Sequence, residues 1–304
     1  MKRTARPGEL LAACLSAALA CLLLSACQTA PAATEAREWY EIGNGWYDQG
    51  KWDKAGKAYS RAIALDPSLK AASYNLSRAL AEAGDYDGAL ESIEGVISAD
   101  PSNVRALSAK AYILYRKGDA PAALRVYDEV LRLDPYAPDA IYNATLLRDA
   151  SGDHAGAIAG IEPLAKAKAD DAGIQLLYAR VLAKGGRTED AIAAYVVAGG
   201  LGKLTAEDNR LLGDLYAETR SFSKAIDAYQ AAVAADPRDA VAWFALARLK
   251  LGEADDGKGG LEALKKALEA GFADAGAAEA LLAEPVLAER EAVTAALKEK
   301  GLVQ

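Results

Sequence analysis

The side chains that could perform catalysis are few in this chain of 304 residues. The single histidine, His154, follows Asp153 in a segment that we interpret as a turn, where a solvated side chain is the usual outcome. The adjacent carboxylates Asp170-Asp171 also fall in a turn. The sequence has no phosphate-binding glycine loop, no metal-spaced histidine pair and no nucleophile elbow. We therefore expect no enzyme activity, no metal site and no cofactor.

The net charge argues against a nucleic-acid-binding role. The chain carries −8 at neutral pH and has an isoelectric point near 5.0. Nucleic-acid phosphates would repel such a protein unless it carried a strong basic stripe. Hydrophobic residues make up 52% of the chain, with no strand-like alternation. Composition therefore favours a helical protein whose partners are not nucleic acids.

The N-terminus has the pattern of a secretory signal. A basic start, Met1 to Arg6, precedes an apolar run from Leu10 to Leu24 that is too short to span a bilayer. The following Leu-Ser-Ala-Cys resembles the bacterial lipobox, which implies cleavage before Cys27 and lipidation of that cysteine. An ordinary signal peptide with an incidental cysteine is the alternative. We predict a signal peptide over residues 1–26 and a lipidated tether over residues 27–35.

Cleavage before Cys27 would change the charge, the cysteine count and the location of the protein. It removes three basic and one acidic residue, so the net charge becomes −10. Cys27 becomes the only cysteine, which excludes a disulfide within the monomer. Gln28 stands where lipoproteins retained in the inner membrane often have Asp. By this resemblance we expect a lipid anchor in a bacterial membrane, namely the outer membrane facing the periplasm.

The rest of the chain is organised by a period of 34 residues. Six alanines mark it: Ala55, Ala89, Ala123, Ala157, Ala191 and Ala225. The residue twelve positions before each is small, and the residue four positions after each is large. Small residues let two helix backbones approach closely, and large ones fill the space between neighbouring pairs. A fixed period of this length predicts stacked helical hairpins.

Breaks between the helices are also periodic. Five glycines lie five positions before the ladder alanines, with Arg220 as the exception: Gly50, Gly84, Gly118, Gly152 and Gly186. Glycine is expected to end the first helix of each unit in a left-handed conformation. An Asp-Pro pair closes the second helix of four units, because proline cannot continue a helix.

These features resemble the tetratricopeptide repeat family. The first unit matches its signature at Trp39, Ile42, Gly43, Trp46, Gly50, Ala55, Tyr59, Ala62 and Pro67. The resemblance implies an all-α, right-handed α-solenoid of about seven helix-turn-helix repeats over residues 36–271. Residues 272–304 lose the period, and we expect helices there that cap the last repeat. Pro163 and Gly199-Gly200 interrupt the pattern. The interruptions reflect either decay of the repeat or a hinge within the array.

The family resemblance also implies a binding surface, because the first helix of each hairpin lines the concave side. The residues it places there are Arg37, Tyr40, Asn44, Tyr74, Asn75, Arg78, Arg105, Tyr112, Tyr142, Arg180, Arg210, Phe244 and Arg248. Arginine beside tyrosine suits an extended or helical segment with acidic or aromatic side chains, or a free carboxylate. Part of the family's carboxylate clamp is present, in Asn44, Asn75 and Arg105. Its first lysine, however, is replaced by Tyr40 and its last arginine by Ala109. The alternative is that tyrosine and asparagine occupy these positions only because they belong to the general consensus of the family.

The sequence therefore predicts a membrane-anchored scaffold that recruits a protein or peptide partner in its concave groove. A transporter-associated or ligand-carrying accessory lipoprotein is the second hypothesis, with slight support from Leu146, Leu176 and Phe244 on the inner face. Self-association is the third. The identity of the partner, the pathway and the oligomeric state stay open.

Overall fold

A computed structural model describes residues 32–202, 204–254 and 256–304. Cys27 and the predicted signal peptide lie outside the described residues. Helices form most of the described chain, and no strand occurs in these ranges. Helix α1 covers residues 32–48. The helices that follow are α2 Trp52–Leu65, α3 Lys70–Ala83, α4 Tyr86–Ala99, α5 Val104–Lys117, α6 Ala120–Leu133, α7 Pro138–Ala150, α8 His154–Ala167, α9 Ala172–Lys184, α10 Thr188–Leu201, α11 Ala206–Glu218, α12 Phe222–Ala235, α13 Ala240–Gly252, α14 Gly257–Glu269, α15 Ala275–Ala283 and α16 Arg290–Glu299.

Acidic side chains start many of these helices. The Asp85 carboxylate accepts a hydrogen bond from the Gly88 amide at the start of α4, and Asp119 does the same for Ala122 at the start of α6. Each cap satisfies one of the amide groups that lack a partner within the first turn of a helix. The predicted turns between helices are thus built from local hydrogen bonds.

The ends of the first helices confirm the glycine pattern. Gly50, Gly84, Gly118, Gly152 and Gly186 all have positive φ, between 69° and 96°. Arg220 occupies the same repeat position and also has a positive φ, of 55°. The hairpin geometry therefore requires a left-handed residue here even where the sequence does not supply glycine, which leaves strain at Arg220.

The residues that define the repeat pattern form the core of the described chain. All six ladder alanines are fully buried. The small residue of each first helix faces the large residue of the second: Gly43 lies against the Tyr59 ring, and Gly213 against the Tyr229 ring. Many consecutive helices pack against each other, as in α3 with α4 and α9 with α10. The chain is therefore an all-α helical-repeat solenoid, as the sequence predicted.

The described chain divides into two compact units. The first ends at Leu147 and the second begins at Arg148, inside α7. Helix α8 runs through Pro163 without a break, and α10 continues through Gly199 and Gly200 to Leu201. The predicted hinge near these residues stays a prediction.

The C-terminal residues form two helices, α15 and α16, as expected. Leu281, Val293 and Leu297 are fully buried in the core of the second unit, together with Leu264 of the last repeat. These side chains cover the apolar face that the last hairpin would otherwise expose. Within the described ranges, no helix combines the length and the apolar character needed to cross a bilayer.

Candidate functional site

A groove in the N-terminal unit collects several of the predicted binding residues. It has a volume of about 770 Å³ and is walled by first helices of successive repeats. The residues that carry its chemistry are Tyr47, Tyr74, Arg78, Glu82, Arg105 and Tyr112. At its other end lie Asp134, Asp139 and Asn143. The periodic placement of first helices, each one repeat after the last, is what brings these distant residues to one surface.

Two arginines in this groove stack on tyrosines of the preceding repeat. The Arg78 guanidinium carbon lies 4.7 Å from the centre of the Tyr47 ring, and that of Arg105 lies 4.5 Å from the centre of the Tyr74 ring. Both distances fall within the range of favourable cation–π contacts. Each arginine follows its tyrosine by 31 positions, so each contact joins two successive first helices. We call these two contacts the stacked arginine pairs.

The stacked arginine pairs leave hydrogen-bond donors unused. No carboxylate of the described chain forms an ion pair with Arg78 or Arg105, and neither guanidinium donates a hydrogen bond there. Stacking uses the flat face of the guanidinium, whereas its N–H groups point outward in the plane. Burial raises the pKa of Tyr47, and the nearby Arg78 charge opposes that shift. Tyr47 therefore stays neutral under ordinary conditions and serves as a platform for Arg78.

A third arginine near the groove is already occupied. Arg116 donates a hydrogen bond of 2.7 Å to the Tyr112 hydroxyl oxygen, and its guanidinium lies 3.5 Å from a Glu82 carboxylate oxygen. Glu82 thus has its own basic partner within the groove. Asp134 accepts a hydrogen bond from the Tyr136 amide. Arg78 and Arg105 consequently provide the free positive charge of this groove.

The predicted polar residues of the first two repeats bind each other. The Asn75 side-chain amide donates to the Asn44 amide oxygen at 3.0 Å and to the Tyr40 hydroxyl oxygen at 3.2 Å. The Tyr59 hydroxyl also donates to the Asn44 amide oxygen, at 2.9 Å. Burial raises the pKa of Tyr59 to about 12, although the Asn75 hydrogen bond opposes the shift. These side chains tie α1, α2 and α3 together, and the amides of the partial clamp are used in doing so.

Two of the three predicted arginines of the C-terminal unit, Arg180 and Arg210, are paired with acids. The Arg180 Nε and Nη2 atoms each lie 2.8 Å from the Asp208 Oδ1 atom, and Asp208 is fully buried. The other Asp208 oxygen closes a capping box with Thr205 at the start of α11. Arg210 lies 3.4 Å from Asp239 of the next repeat. A buried carboxylate needs such a partner, so these arginines connect successive repeats.

The remaining predicted residues are dispersed. Arg37 is exposed on α1, and Tyr142 is 38% exposed on α7. Arg248 lines a polar concavity of about 590 Å³ in the C-terminal unit, among acidic residues that include Glu218 and Glu253. The structure does not bring these three side chains to the groove of the stacked arginine pairs.

Phe244 corrects one expectation about the inner face. Only 7% of this residue is exposed, and its ring stacks on Phe272 with centroids 4.0 Å apart and planes 6° apart. Phe272 lies just after α14, in the segment that leads to the C-terminal helices, and it covers the ring. Phe244 is therefore part of the core. Neither it nor Leu146 or Leu176 lines the N-terminal groove, which removes the apolar support for the ligand-carrier hypothesis there.

Tyr47 lines the groove but is absent from the binding residues that the sequence predicted. It lies one turn beyond the positions that the family uses, near the C-terminal end of α1. The spacing of 31 residues to Arg78, repeated between Tyr74 and Arg105, is the signal that could have found it. The structure makes that spacing a contact between first helices.

The candidate reactive groups form ordinary surface pairs. The His154 Nδ1 atom lies 3.1 Å from an Asp149 oxygen, and the Lys184 ammonium lies 2.7 Å from the other oxygen of that carboxylate. Within residues 32–202, 204–254 and 256–304, no group of three histidine, cysteine or acidic side chains could hold a metal ion. The described geometry fits a binding surface better than a catalytic centre.

Family models support the repeat reading of the sequence. One tetratricopeptide repeat model matches residues 40–95, 74–138 and 143–198, which together exceed half of the chain. A second tetratricopeptide repeat model matches residues 206–249. The matches cover most of the array that the 34-residue period defines.

Several solved structures share the fold. A protein from a study of Pseudomonas aeruginosa pilF has a TM-score of 0.57 at 19% identity, covering 68% of this chain and 94% of its own. A tetratricopeptide repeat protein from Parabacteroides merdae has a TM-score of 0.55 at 17% identity, covering 88% and 99% respectively. YrrB, described as having an unusual peptide-binding site, has a TM-score of 0.56 at 16% identity, covering 62% and 96%. At these identities the likeness concerns the fold. No curated protein matches the sequence significantly.

Proposed function

Because this chain belongs to the tetratricopeptide repeat family, whose arrays act as scaffolds for protein interactions, we propose that its N-terminal groove binds an acidic segment of a partner protein. The partner segment would lie in an extended conformation across the first helices of successive repeats. Its carboxylates would meet the N–H edges of Arg78 and Arg105, and its apolar parts would pack on the groove tyrosines. The chain would thereby recruit its partner without catalysing a reaction.

The unpaired state of the two stacked arginines carries this proposal. A guanidinium held on a tyrosine ring has lost part of its conformational freedom before a ligand arrives. Its N–H groups can then form charge-assisted hydrogen bonds with a carboxylate, often two in parallel. Arg180 and Arg210 lack this capacity because carboxylates of their own chain already occupy them. Arg248 has no such partner in the described chain, but its concavity is lined by Glu218 and Glu253, which would repel a carboxylate. We therefore assign binding to the N-terminal unit.

The second part of the proposal is a lipid anchor at Cys27. Its support is the sequence: a basic start, an apolar run, Leu-Ser-Ala-Cys and a small, polar tether. The anchor would hold the repeats at a bacterial membrane, and Gln28 favours the outer membrane on its periplasmic side. The protein would then be a membrane-anchored scaffold of the cell envelope.

A capture experiment tests the groove. The full chain, the double variant Arg78→Glu/Arg105→Glu and the matched control Arg125→Glu/Arg132→Glu would each capture proteins from the envelope of the source cell. The control changes two exposed arginines of α6 that do not line the groove. We expect partners that bind the wild type and the control but not the groove variant. Equal capture by all three would contradict the assignment.

A peptide titration gives the same test in quantitative form. Fluorescent peptides with glutamates at alternate positions would be compared with peptides in which glutamine replaces each glutamate. A hydrogen bond to a charged group contributes about 1.5–3 kcal/mol. Loss of one such contact should therefore weaken binding by roughly tenfold to a hundredfold. Equal affinity for glutamate and glutamine peptides would show that the arginines do not read carboxylates.

Mass spectrometry tests the anchor separately. The N-terminal peptide of the chain produced in a bacterial host should begin at Cys27 and carry acyl chains. The variant Cys27→Ser should lack them and should be released from the membrane fraction. An unmodified Cys27 in a chain cleaved elsewhere would refute the anchor and leave the groove proposal intact.

A further inference from the structure

The exposed face of α2 carries an unusual concentration of positive charge. Lys54, Lys57 and Arg61 lie at intervals of three and four, so they share one side of the helix. Lys51 precedes the helix at its N-cap position, and all four side chains are exposed. Asp53 is the one acidic residue of α2. We call Lys51, Lys54, Lys57 and Arg61 the basic face.

Most of this charge is not neutralised by the protein itself. Arg61 forms an ion pair with Glu35, in which the nitrogen and oxygen atoms are 3.7 Å apart and both side chains are about half exposed. An exposed pair of this kind contributes little. The ammonium groups of Lys51 and Lys54 lie 4.8 Å and 4.7 Å from the centre of the Trp46 ring. Lysines and an aromatic ring with a polar edge thus occur together on this surface.

Among the other second helices of the described chain, α14 alone has an excess of basic residues, and its excess is smaller than that of α2: three lysines against two acidic residues. Helix α4 has three acidic residues and no basic one, and α10 has two acidic residues and no basic one. In α6 and α12, acidic and basic residues are equal in number. The chain as a whole carries −8. The basic face is therefore a local departure from the charge of the chain rather than a general feature of its solvated helices.

We propose that the basic face docks on the anionic headgroups of a phospholipid surface. The face is the outer side of a helix and not a groove, so it suits a two-dimensional array of phosphates better than an inserted peptide. Tryptophan is favoured at the boundary between water and lipid, because its ring is apolar and its N–H is polar. The proposal rests on the lipid anchor at Cys27, which lies 25 positions before the first residue of α2.

Docking would fix how the scaffold stands on the membrane. A lipid tether alone holds the chain near the surface but leaves its orientation free. Each basic residue near an anionic surface contributes a factor of about five to binding. Four such residues would favour one orientation strongly over the others. The first repeat would then face the lipid.

The native tryptophans report this orientation. Trp39, Trp46 and Trp52 belong to the first hairpin, and Trp243 belongs to the C-terminal unit. The full chain would be reconstituted on vesicles of phosphatidylcholine or of phosphatidylcholine with phosphatidylglycerol, each containing a lipid with a spin label in its headgroup. We expect stronger quenching of tryptophan fluorescence on the anionic vesicles. The excess quenching should disappear at high salt, because ions screen exposed charges.

Charge reversal of three lysines of the basic face shows whether they are responsible for docking. The reversal variant is Lys51→Glu/Lys54→Glu/Lys57→Glu. Replacing the same lysines with glutamine should give an intermediate result, which shows that the effect does not come from the introduced acids alone. The control variant, Arg238→Glu/Lys258→Glu/Lys265→Glu, reverses three exposed basic residues of the C-terminal unit and should behave as the wild type.

The outcomes separate this inference from the anchor. Loss of the anion-dependent quenching in the lysine variant, with its retention in the control, supports docking by the basic face. Equal quenching on neutral and anionic vesicles overturns it, as does an equal loss in both variants. Binding of duplex DNA with the same lysine dependence, without anion-dependent quenching, would also overturn it. The mass of the N-terminal peptide reports on Cys27 whatever the quenching shows.

Discussion

Two glycines of α1, only two positions apart, should respond differently to the same substitution. A methyl group on Gly43 would lie 2.5 Å and 2.6 Å from the Tyr59 Cε1 and Cδ1 atoms. The Tyr59 side chain has little room to move, because it is 1% exposed and its hydroxyl is bonded to Asn44. A methyl group on Gly45 would meet nothing within 4 Å. The change is thus identical in chemistry and different in surroundings.

The expected magnitudes follow from two effects. Replacing glycine with alanine inside a helix stabilises it by about 1 kcal/mol. Inserting a methyl group into a filled core costs about 1–3 kcal/mol. Gly45→Ala gains the first effect alone and should raise the free energy of unfolding by about 1 kcal/mol. Gly43→Ala has both effects and should range from neutral to about 2 kcal/mol less stable. The helix term cancels in the comparison, so the difference of about 1–3 kcal/mol measures packing.

Hydrogen exchange is the suitable assay, because a repeat array can open locally at one end. Amide protection in α1 and α2 would be measured for wild type and both variants, with urea unfolding of the whole chain beside it. Gly213→Ala should reproduce the Gly43 result, since its methyl group would lie 2.6 Å from the Tyr229 ring. If Gly43→Ala proved as stable as Gly45→Ala, the packing argument for the small residue of each first helix would be refuted.

Four further predictions concern the turn at Arg220 and the buried tyrosines. Arg220→Gly should raise the free energy of unfolding by about 0.5–1 kcal/mol, because it relieves a left-handed residue; thermal unfolding checks this, and an equal gain from Arg220→Ala would contradict it. Tyr229→Phe should cost about 1.5–3 kcal/mol through loss of a 2.6 Å hydrogen bond to the Asp214 carboxylate. Tyr195→Phe should leave the free energy of unfolding, measured by urea titration, unchanged or raised. The buried Tyr195 hydroxyl makes no well-aligned hydrogen bond within the described residues, although Arg180 lies beside it. A larger loss of stability than for Tyr229→Phe would contradict this prediction. Burial raises the pKa of Tyr59 and Tyr195 to about 12, above the value of about 10 in the unfolded chain. The contribution of these tyrosines to the free energy of unfolding should therefore be fully present below pH 10 and decline toward pH 12. A urea midpoint that stays constant across that range would contradict this.

The sequence predicted the fold in considerable detail because a repeat states each structural requirement several times. The ladder alanines, the small and large partners of each hairpin and the left-handed glycines are all where the 34-residue period places them. The same logic located the exception at Arg220, although its strained φ became visible only in the structure. Phe244 was placed less well, because its burial depends on Phe272, which lies beyond the periodic region.

The sequence by itself determined which residues belong to a first helix and which side of that helix they occupy. Arg78 and Arg180 illustrate what it did not determine, since both hold the same position within their repeats. Arg78 lies on the Tyr47 ring with its N–H edge unpaired, whereas Arg180 is bound to the buried Asp208. Only the tertiary structure decided this difference. The repeat position fixes the direction of a side chain, but the groups that it meets come from another repeat, whose own sequence varies.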